Sequence, residues 1–265
     1  MKPSLEISPF EGEMLKPKEL IEVRGIGKFT LEDRRVYNAL VHNAWGPKLG
    51  EAGHTFEINT GELRSIVGDN QRLKRSIRKL QTTLVETSSG ERWRSVQLLG
   101  AVDLTTTSNR GTLLYRFDPM LAVLLKDSTI FAKLDLEVMR SFRSKYAFSL
   151  YEAIARRIRM KKFMEELSID EMRELLGVEE NRLTTYSNLN KFAITPALDE
   201  VNAITPYRVS ILPKKKGRKV VSVLLGWENK SEDQLQEAYS ELQKHSAGRK
   251  ARLTNDIEQI NVGEQ

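Results

Sequence analysis

Arg72, Lys74, Arg75, Arg78 and Lys79 place five cations in eight residues with no acid among them. Such side chains make charge-assisted hydrogen bonds to phosphate oxygens, and arginine or lysine also reaches the acceptor edge of guanine. A second group trades charge for amides and hydroxyls: Tyr186, Ser187, Asn188, Lys191 and Thr195. Asparagine matches the donor and acceptor of adenine, so this set suits base edges better than a row of phosphates. The third group is Lys214, Lys215, Lys216, Arg218 and Lys219, inside a stretch from Tyr207 to Trp227 that holds six cations and no acid. For the second group the plain alternative is that these residues only cap and solubilise a short helix, and for the first a solvated basic helix face. For the first group it is weakened by the lack of an acid at i+3 or i+4 within the run. For the third, a nuclear-import signal has a similar composition but rarely sits at a hairpin turn. A further run, Arg156, Arg157, Arg159, Lys161 and Lys162, ends a helix, where cations also complement the helix dipole.

Catalytic chemistry finds no comparable support. His42, His54 and His245 are far apart and none pairs at metal-ligand spacing. A nicking enzyme or relaxase needs clustered histidines near a tyrosine nucleophile, and that cluster is missing. No glycine-rich loop ends in Lys-Ser or Lys-Thr, and Gly25-Ile26-Gly27 is too short to cradle phosphates. Cysteine is absent, which excludes disulfides, thiolate zinc sites and thiol nucleophiles. Neither an enzyme nor a cofactor is expected, and no metal. In 265 residues no apolar run approaches the ~20 needed to span a membrane, and no signal pattern opens the chain, so the cytoplasm is the expected location. A net charge of +6 and a pI near 9.4 favour a polyanionic partner.

The elements that must carry these groups follow from periodicity. Met1 to Gly27 has prolines, glycines and scattered charge without a period, and is expected to form an arm or loosely packed tail. Leu31, Val36, Leu40, Val41 and Ala44 predict a helix ended by Gly46-Pro47, and Thr55–Ile58 a short strand. Thr60 is the expected cap of a helix through Leu63, Ile66 and Val67 that stops at Gly68. Leu73, Ile77, Leu80 and Leu84 predict a second helix from Asn70 to about Val85. Strands are expected at Ser95–Thr105 and Thr112–Phe117 around the turn Ser108–Gly111, then a short helix from Pro119 to Leu125. The order then recurs: a helix from Lys145 to Phe163, one capped by Ser168 and stopped by Gly177, and one from Tyr186 to Ala203 kinked near Pro196. In that last helix Leu189, Phe192, Ala193 and Ala197 are the expected buried residues. Tyr207–Leu212 and Val220–Trp227 then alternate as strands around a Lys-Lys-Lys-Gly-Arg-Lys tip. Beyond Asn229 a polar helix over Glu232–Lys244 and a disordered end are expected.

A repeat is visible in the letters. Glu62–Gly68 and Glu171–Gly177 both read E-[LM]-R-x-[IL]-[VL]-G, each after a longer helix and before a helix and a hairpin. That order is the winged helix-turn-helix, in which the second helix enters the major groove and the hairpin lies along the phosphates. The expected fold is α+β with two tandem winged-helix domains: an arm over 1–27, domain 1 over 28–130, domain 2 over 131–229 and a tail over 230–265.

The second half also resembles a known family. Ser144-Lys145-Tyr146-Ala147-Phe148-Ser149-Leu150-Tyr151-Glu152 is similar to the S-x-Y-A-x-x-L-Y-E segment of iteron-binding plasmid replication initiators, the Rep_3 or RepB-like group. The likeness runs on through Ile169–Gly177, through Tyr186–Asn202 with Phe192, Pro196-Ala197 and Glu200-Val201-Asn202, and through the Lys-Gly-Arg-Lys hairpin to Val223. It covers about Leu31 to Trp227, more loosely in the first half. The resemblance implies binding of short direct repeats at a plasmid origin in a bacterial cytoplasm. It further implies homodimers that meet through domain 1 and repress their own gene, and recruitment of a host initiator and helicase. A dedicated tandem winged-helix repressor shares every physical feature described so far and is the alternative.

Overall fold

The computed structural model of the chain describes residues 3–21, 23, 25–89, 91–105 and 111–254. The segment read as a loose arm is instead part of the packed body. Strand β1 (Glu13–Pro17) pairs antiparallel with residues 131–135, followed by a one-turn helix, α1 (Lys18–Ile21). Leu5, Met14, Leu15, Leu20 and Val23 are buried. Their spacing follows neither a helical nor a strand period because the strand that covers them lies more than a hundred residues away.

The first winged helix begins with α2 (Leu31–Asn43), whose start is a capping box of Thr30 and Asp33. Strand β2 (Phe56–Asn59) leads into α3 (Thr60–Val67). The cap is Asn59, which accepts from the Gly61 amide at 2.6 Å, and not Thr60, whose buried hydroxyl bonds the Gly111 carbonyl at 2.8 Å. Helix α4 (Asn70–Thr82) is capped by Asp69 and buries Leu73, Ile77 and Leu80. It stops at Thr82, three residues short of the prediction. Leu84 continues the apolar period but opens β3 (Leu84–Ser89), which pairs with β4 (Arg92–Gln97) in a hairpin the spacing did not predict. The single strand predicted over 95–105 is therefore two, β4 and β5 (Val102–Leu104). Strand β6 (Thr112–Tyr115) lies between β2 and β5, giving the order β2-β6-β5. Most of the predicted turn over Ser108–Gly111 lies outside the described residues. Asp118 caps α5 (Pro119–Lys126), and β7 (Phe131–Asp135) closes the first half against β1.

Helix α6 (Leu136–Ser141) joins the halves, and α7 (Lys145–Arg157), capped by Ser144, opens the second. It ends six residues before the predicted Phe163, and the chain turns into β8 (Met164–Ser168), a strand the spacing did not reveal. Helix α8 (Ile169–Leu176) starts at a Ser168–Glu171 capping box. Next come α9 (Tyr186–Leu189), a π turn over Asn190–Ile194 and α10 (Thr195–Ile204), forming one rod with a local widening. The widening falls where Pro196 lacks the amide that would bond back along the helix, so the predicted irregularity takes the form of a π turn. Strands β9 (Tyr207–Lys216) and β10 (Lys219–Asn229) form the hairpin, and the sheet runs β8-β10-β9. Both halves thus share one topology: the strand ahead of the short helix pairs with the last strand of the wing. The repeated glycines do the same task in each. Gly68 at φ +95° and Gly177 at φ +66° end α3 and α8 in backbone that other residues rarely adopt.

Beyond the wing, α11 (Glu232–Gln243) and α12 (Arg249–Thr254) fold back on the second half, so a second helix follows the predicted one where a disordered end was expected. Arg249 is buried, donating to the Ser141 carbonyl at 2.9 Å and lying 3.3 Å from the carboxylates of Glu200 and Glu241. Glu200 also accepts from the Arg143 and Ser144 amides, and burial raises its carboxyl above the ordinary range.

The halves meet through a continuous apolar core crossed by a polar seam. Lys16 Nζ and Asn38 Nδ2 each donate to Glu152 at 2.7 Å, all three residues buried. Burial lowers the Lys16 ammonium from its ordinary value, with Glu152 opposing the shift. Gly27 sits so close to the second half that an added Cβ would lie 2.7 Å from the Glu179 Cα. Lys145 Nζ donates to the Gly27 carbonyl at 2.6 Å. These contacts make the seam a defined interface rather than a free linker.

Candidate nucleic-acid interface

The face of α4 opposite Leu73, Ile77 and Leu80 exposes Arg72, Lys74, Arg75 and Arg78. Lys79 differs from the other four. Its Nζ lies 2.6 Å from Asp33 of α2, and its side chain is 40% exposed. Asp33, itself buried, also accepts from Ser76 Oγ at 2.5 Å. Although burial opposes it, hydrogen bonds from Lys79, Ser76 and the Thr30 amide hold this carboxyl below the usual carboxylate range. Lys79 is thus a pin between α2 and α4. The acid that pairs with it is on another helix, out of reach of any i+3 or i+4 test. Arg72 likewise has Asp69 at 3.5 Å, one turn before it.

In the second half Ser187, Asn188, Lys191 and Thr195 are exposed and Tyr186 is half-buried. Thr185 caps the helix, accepting from the Asn188 amide at 3.3 Å. Leu189, Ala193, Ile194 and Ala197 face the core, but Phe192 does not: it is 52% exposed, with Lys191 Nζ 5.3 Å from the centre of its ring. An α-helical period puts Phe192 beside Leu189 on the buried side. The π turn changes the rotation per residue and delivers it to the outer face with Lys191. An exposed aromatic is thus added to the predicted set, and the nearby Pro196 is the sequence feature that signals the altered period.

In the β9–β10 hairpin Lys214, Lys215, Lys216, Arg218 and Lys219 are all exposed. Lys214 Nζ lies 2.6 Å from Glu166 of β8, and Ser222 Oγ donates to the same carboxylate at 2.6 Å. Those two bonds lower the Glu166 carboxyl from its ordinary value. Lys215, Lys216, Arg218 and Lys219 extend beyond this pair to the tip. From the further basic run Arg157 is withdrawn: it is buried and paired with Glu165 at 2.7 Å.

Lys145, at the seam, has its ammonium lowered first by burial and then by the charge of Arg34, with Glu179 opposing the shift and Arg182, in the turn before α9, and Lys79, on α4, adding to it. Among the described residues no group of three or more His, Cys, Asp or Glu side chains could hold a metal ion, and no helix is long and apolar enough to cross a membrane.

Two helix-turn-helix units, each with a three-stranded sheet and an outward polar helix face, define a tandem winged-helix protein. A family model described as initiator replication protein, WH1, matches residues 13–155, and one described as initiator Rep protein, WH2, matches residues 168–227. The chain belongs to the initiator Rep protein family, and its two winged helices are the WH1 and WH2 domains. Among solved structures it is similar to the Pi initiator protein, seen in a crystal structure in complex with iteron DNA. The TM-score is 0.59 at 15% identity, over 83% of this chain and 98% of that one, a likeness of fold. No curated protein matches the chain.

Proposed function

We propose that this initiator binds double-stranded DNA sequence-specifically at direct repeats of a plasmid origin and starts replication there, with no catalysis of its own. One observation carries this reading: the same scaffold occurs twice, and each copy turns a second helix outward with cations or amides on its free face. A helix anchored by one apolar stripe, with donors on the other, is what a major groove accepts. In the proposed roles Arg72, Lys74, Arg75 and Arg78 contact one segment of the duplex, Lys79 chiefly holding their helix in place. Tyr186, Ser187, Asn188, Lys191 and Thr195 read another, and Lys214, Lys215, Lys216, Arg218 and Lys219 follow the phosphates. The solved relative binds iteron DNA, which supports repeats of this kind as the ligand.

Three finer features complete the proposal: a homodimer formed through the WH1 domain that represses the chain's own gene, contacts with a host initiator and helicase, and action in the bacterial cytoplasm. Footprinting on DNA flanking the gene tests the core of it. Protection of direct repeats spaced about two helical turns apart is the expected result, and a single protected inverted repeat would favour the repressor. Incubation with supercoiled origin DNA and Mg²⁺ is expected to leave the DNA intact, and a nicked product would overturn the non-catalytic reading.

A further inference from the structure

The repeated motif contains an arginine that the proposed contacts leave unused. In the second copy it is Arg173, on α8, and its guanidinium spans the turn between α8 and α9. Nη1 donates to the Leu183 carbonyl at 2.6 Å, while Nη2 donates to the Arg182 carbonyl at 2.5 Å and the Glu179 carbonyl at 3.4 Å. One planar fork thus satisfies three main-chain acceptors inside a single connection.

That connection is strained. Asn181 at φ +63° and Leu183 at φ +50° are the two non-glycine residues with positive φ among those described. Asparagine tolerates this region, whereas leucine seldom occupies it, so the conformation persists only where surroundings hold it. The Arg182 amide bonds the Glu179 carbonyl at 3.1 Å, the Arg182 guanidinium lies 3.7 Å from the Glu179 carboxylate, Leu183 packs partly against the core, and Arg173 adds its three bonds. Two residues after Leu183 comes Thr185, the cap of the helix that carries Tyr186, Ser187 and Asn188.

We propose that Arg173 is the positioning residue of the second reading helix: by clamping the left-handed turn at Asn181–Leu183 it sets where and at what angle Tyr186–Asn188 meet the bases. This rests on the proposed function, because it concerns how the same interface reads sequence. Arg173→Lys is the test. Lysine keeps the positive charge and the helix, but its three donors sit on one nitrogen and cannot reproduce the reach of a planar fork across three carbonyls.

The measurement is the ratio of affinities for the footprinted repeat and for a random duplex of equal length, across a salt series. R173K is expected to lower the ratio about tenfold with an unchanged salt slope. Asn181→Ala, at an exposed residue, keeps the fork while making the left-handed conformation costlier, and is expected to lower the ratio about threefold; it carries the test alone if R173K does not fold. Ratios unchanged in the variants that fold, or equal losses on both duplexes, overturn the proposal. Asn188→Ala separates the two levels. If it lowers the ratio while R173K does not, the reading helix stands and the clamp falls. If neither changes the ratio, the helix does not read bases and both fall.

Discussion

The WH1 and WH2 halves share a strand order and a helix order, yet their second helices present opposite chemistry. Helix α4 offers four exposed cations, two of which, Arg75 and Arg78, are joined by Arg72 at helical spacings of three. The helix from Tyr186 offers hydroxyls, an amide, an aromatic ring and one lysine, and its half displaces its positive charge to the wing. Charge against phosphate raises affinity for any duplex and is screened by salt, whereas amide and aromatic contacts at base edges discriminate between sequences. A duplicated fold can therefore divide strength of binding from choice of site between its copies.

The largest expected effect tests the strong half. Arg72, Arg75 and Arg78 together replaced by alanine should flatten the slope of log affinity against log salt by up to about 3 units, at roughly 0.9 for each phosphate no longer neutralised. Specific and random DNA should suffer alike. An unaltered slope would dissolve the contrast between the halves.

The wing comes next, and the structure ranks its lysines. Lys215 and Lys216 to alanine should reduce the slope by about 2 units, while Lys214→Ala adds less than the others because Glu166 already holds that ammonium. Three equal decrements in a salt titration would show that the Glu166 pair opens on binding.

Asn188→Ala should act differently, reducing discrimination by about 1–3 kcal/mol with little effect on the slope. Competition between the repeat and single-base variants of it would show whether the loss falls at one base pair.

The smallest effect concerns stability, at Lys79. Removing it leaves the Asp33 carboxylate buried with one partner fewer, at a cost of about 1–2 kcal/mol at neutral pH. Asp33 has a lowered pKa in the folded chain, so its contribution is present above the ordinary aspartate range and disappears as pH falls through the folded value. Urea unfolding of Lys79→Met across pH should show the gap to the parent protein closing in acid. A constant gap would mean that packing of the lysine stem, not its charge, is what α2 and α4 share.

Amphipathic spacing was enough to locate both pairs of helices, because Leu73, Ile77 and Leu80, or Leu189, Ala193 and Ala197, mark a buried stripe with local information alone. The matched glycines at 68 and 177 were equally legible, since a stop in left-handed backbone is a property of the residue itself. What escaped was everything decided by a distant partner. Strand β8 shows no apolar alternation worth noting, and exists because β10 supplies its hydrogen bonds. The hairpin β3–β4 hides in a helical period that Leu84 extends by coincidence.

From its letters, then, this chain determined its two-fold repetition, its outward basic and amide faces and the family to which they correspond, all of them consequences of neighbours within a turn or two. Only the tertiary structure decided that Lys79 serves Asp33, that Phe192 faces outward, that β1 and α1 belong to the core and that Arg249 anchors α12. In each case the deciding atom belongs to a segment remote in sequence, or to a helix whose pitch a proline altered. Local periodicity carries no information about either.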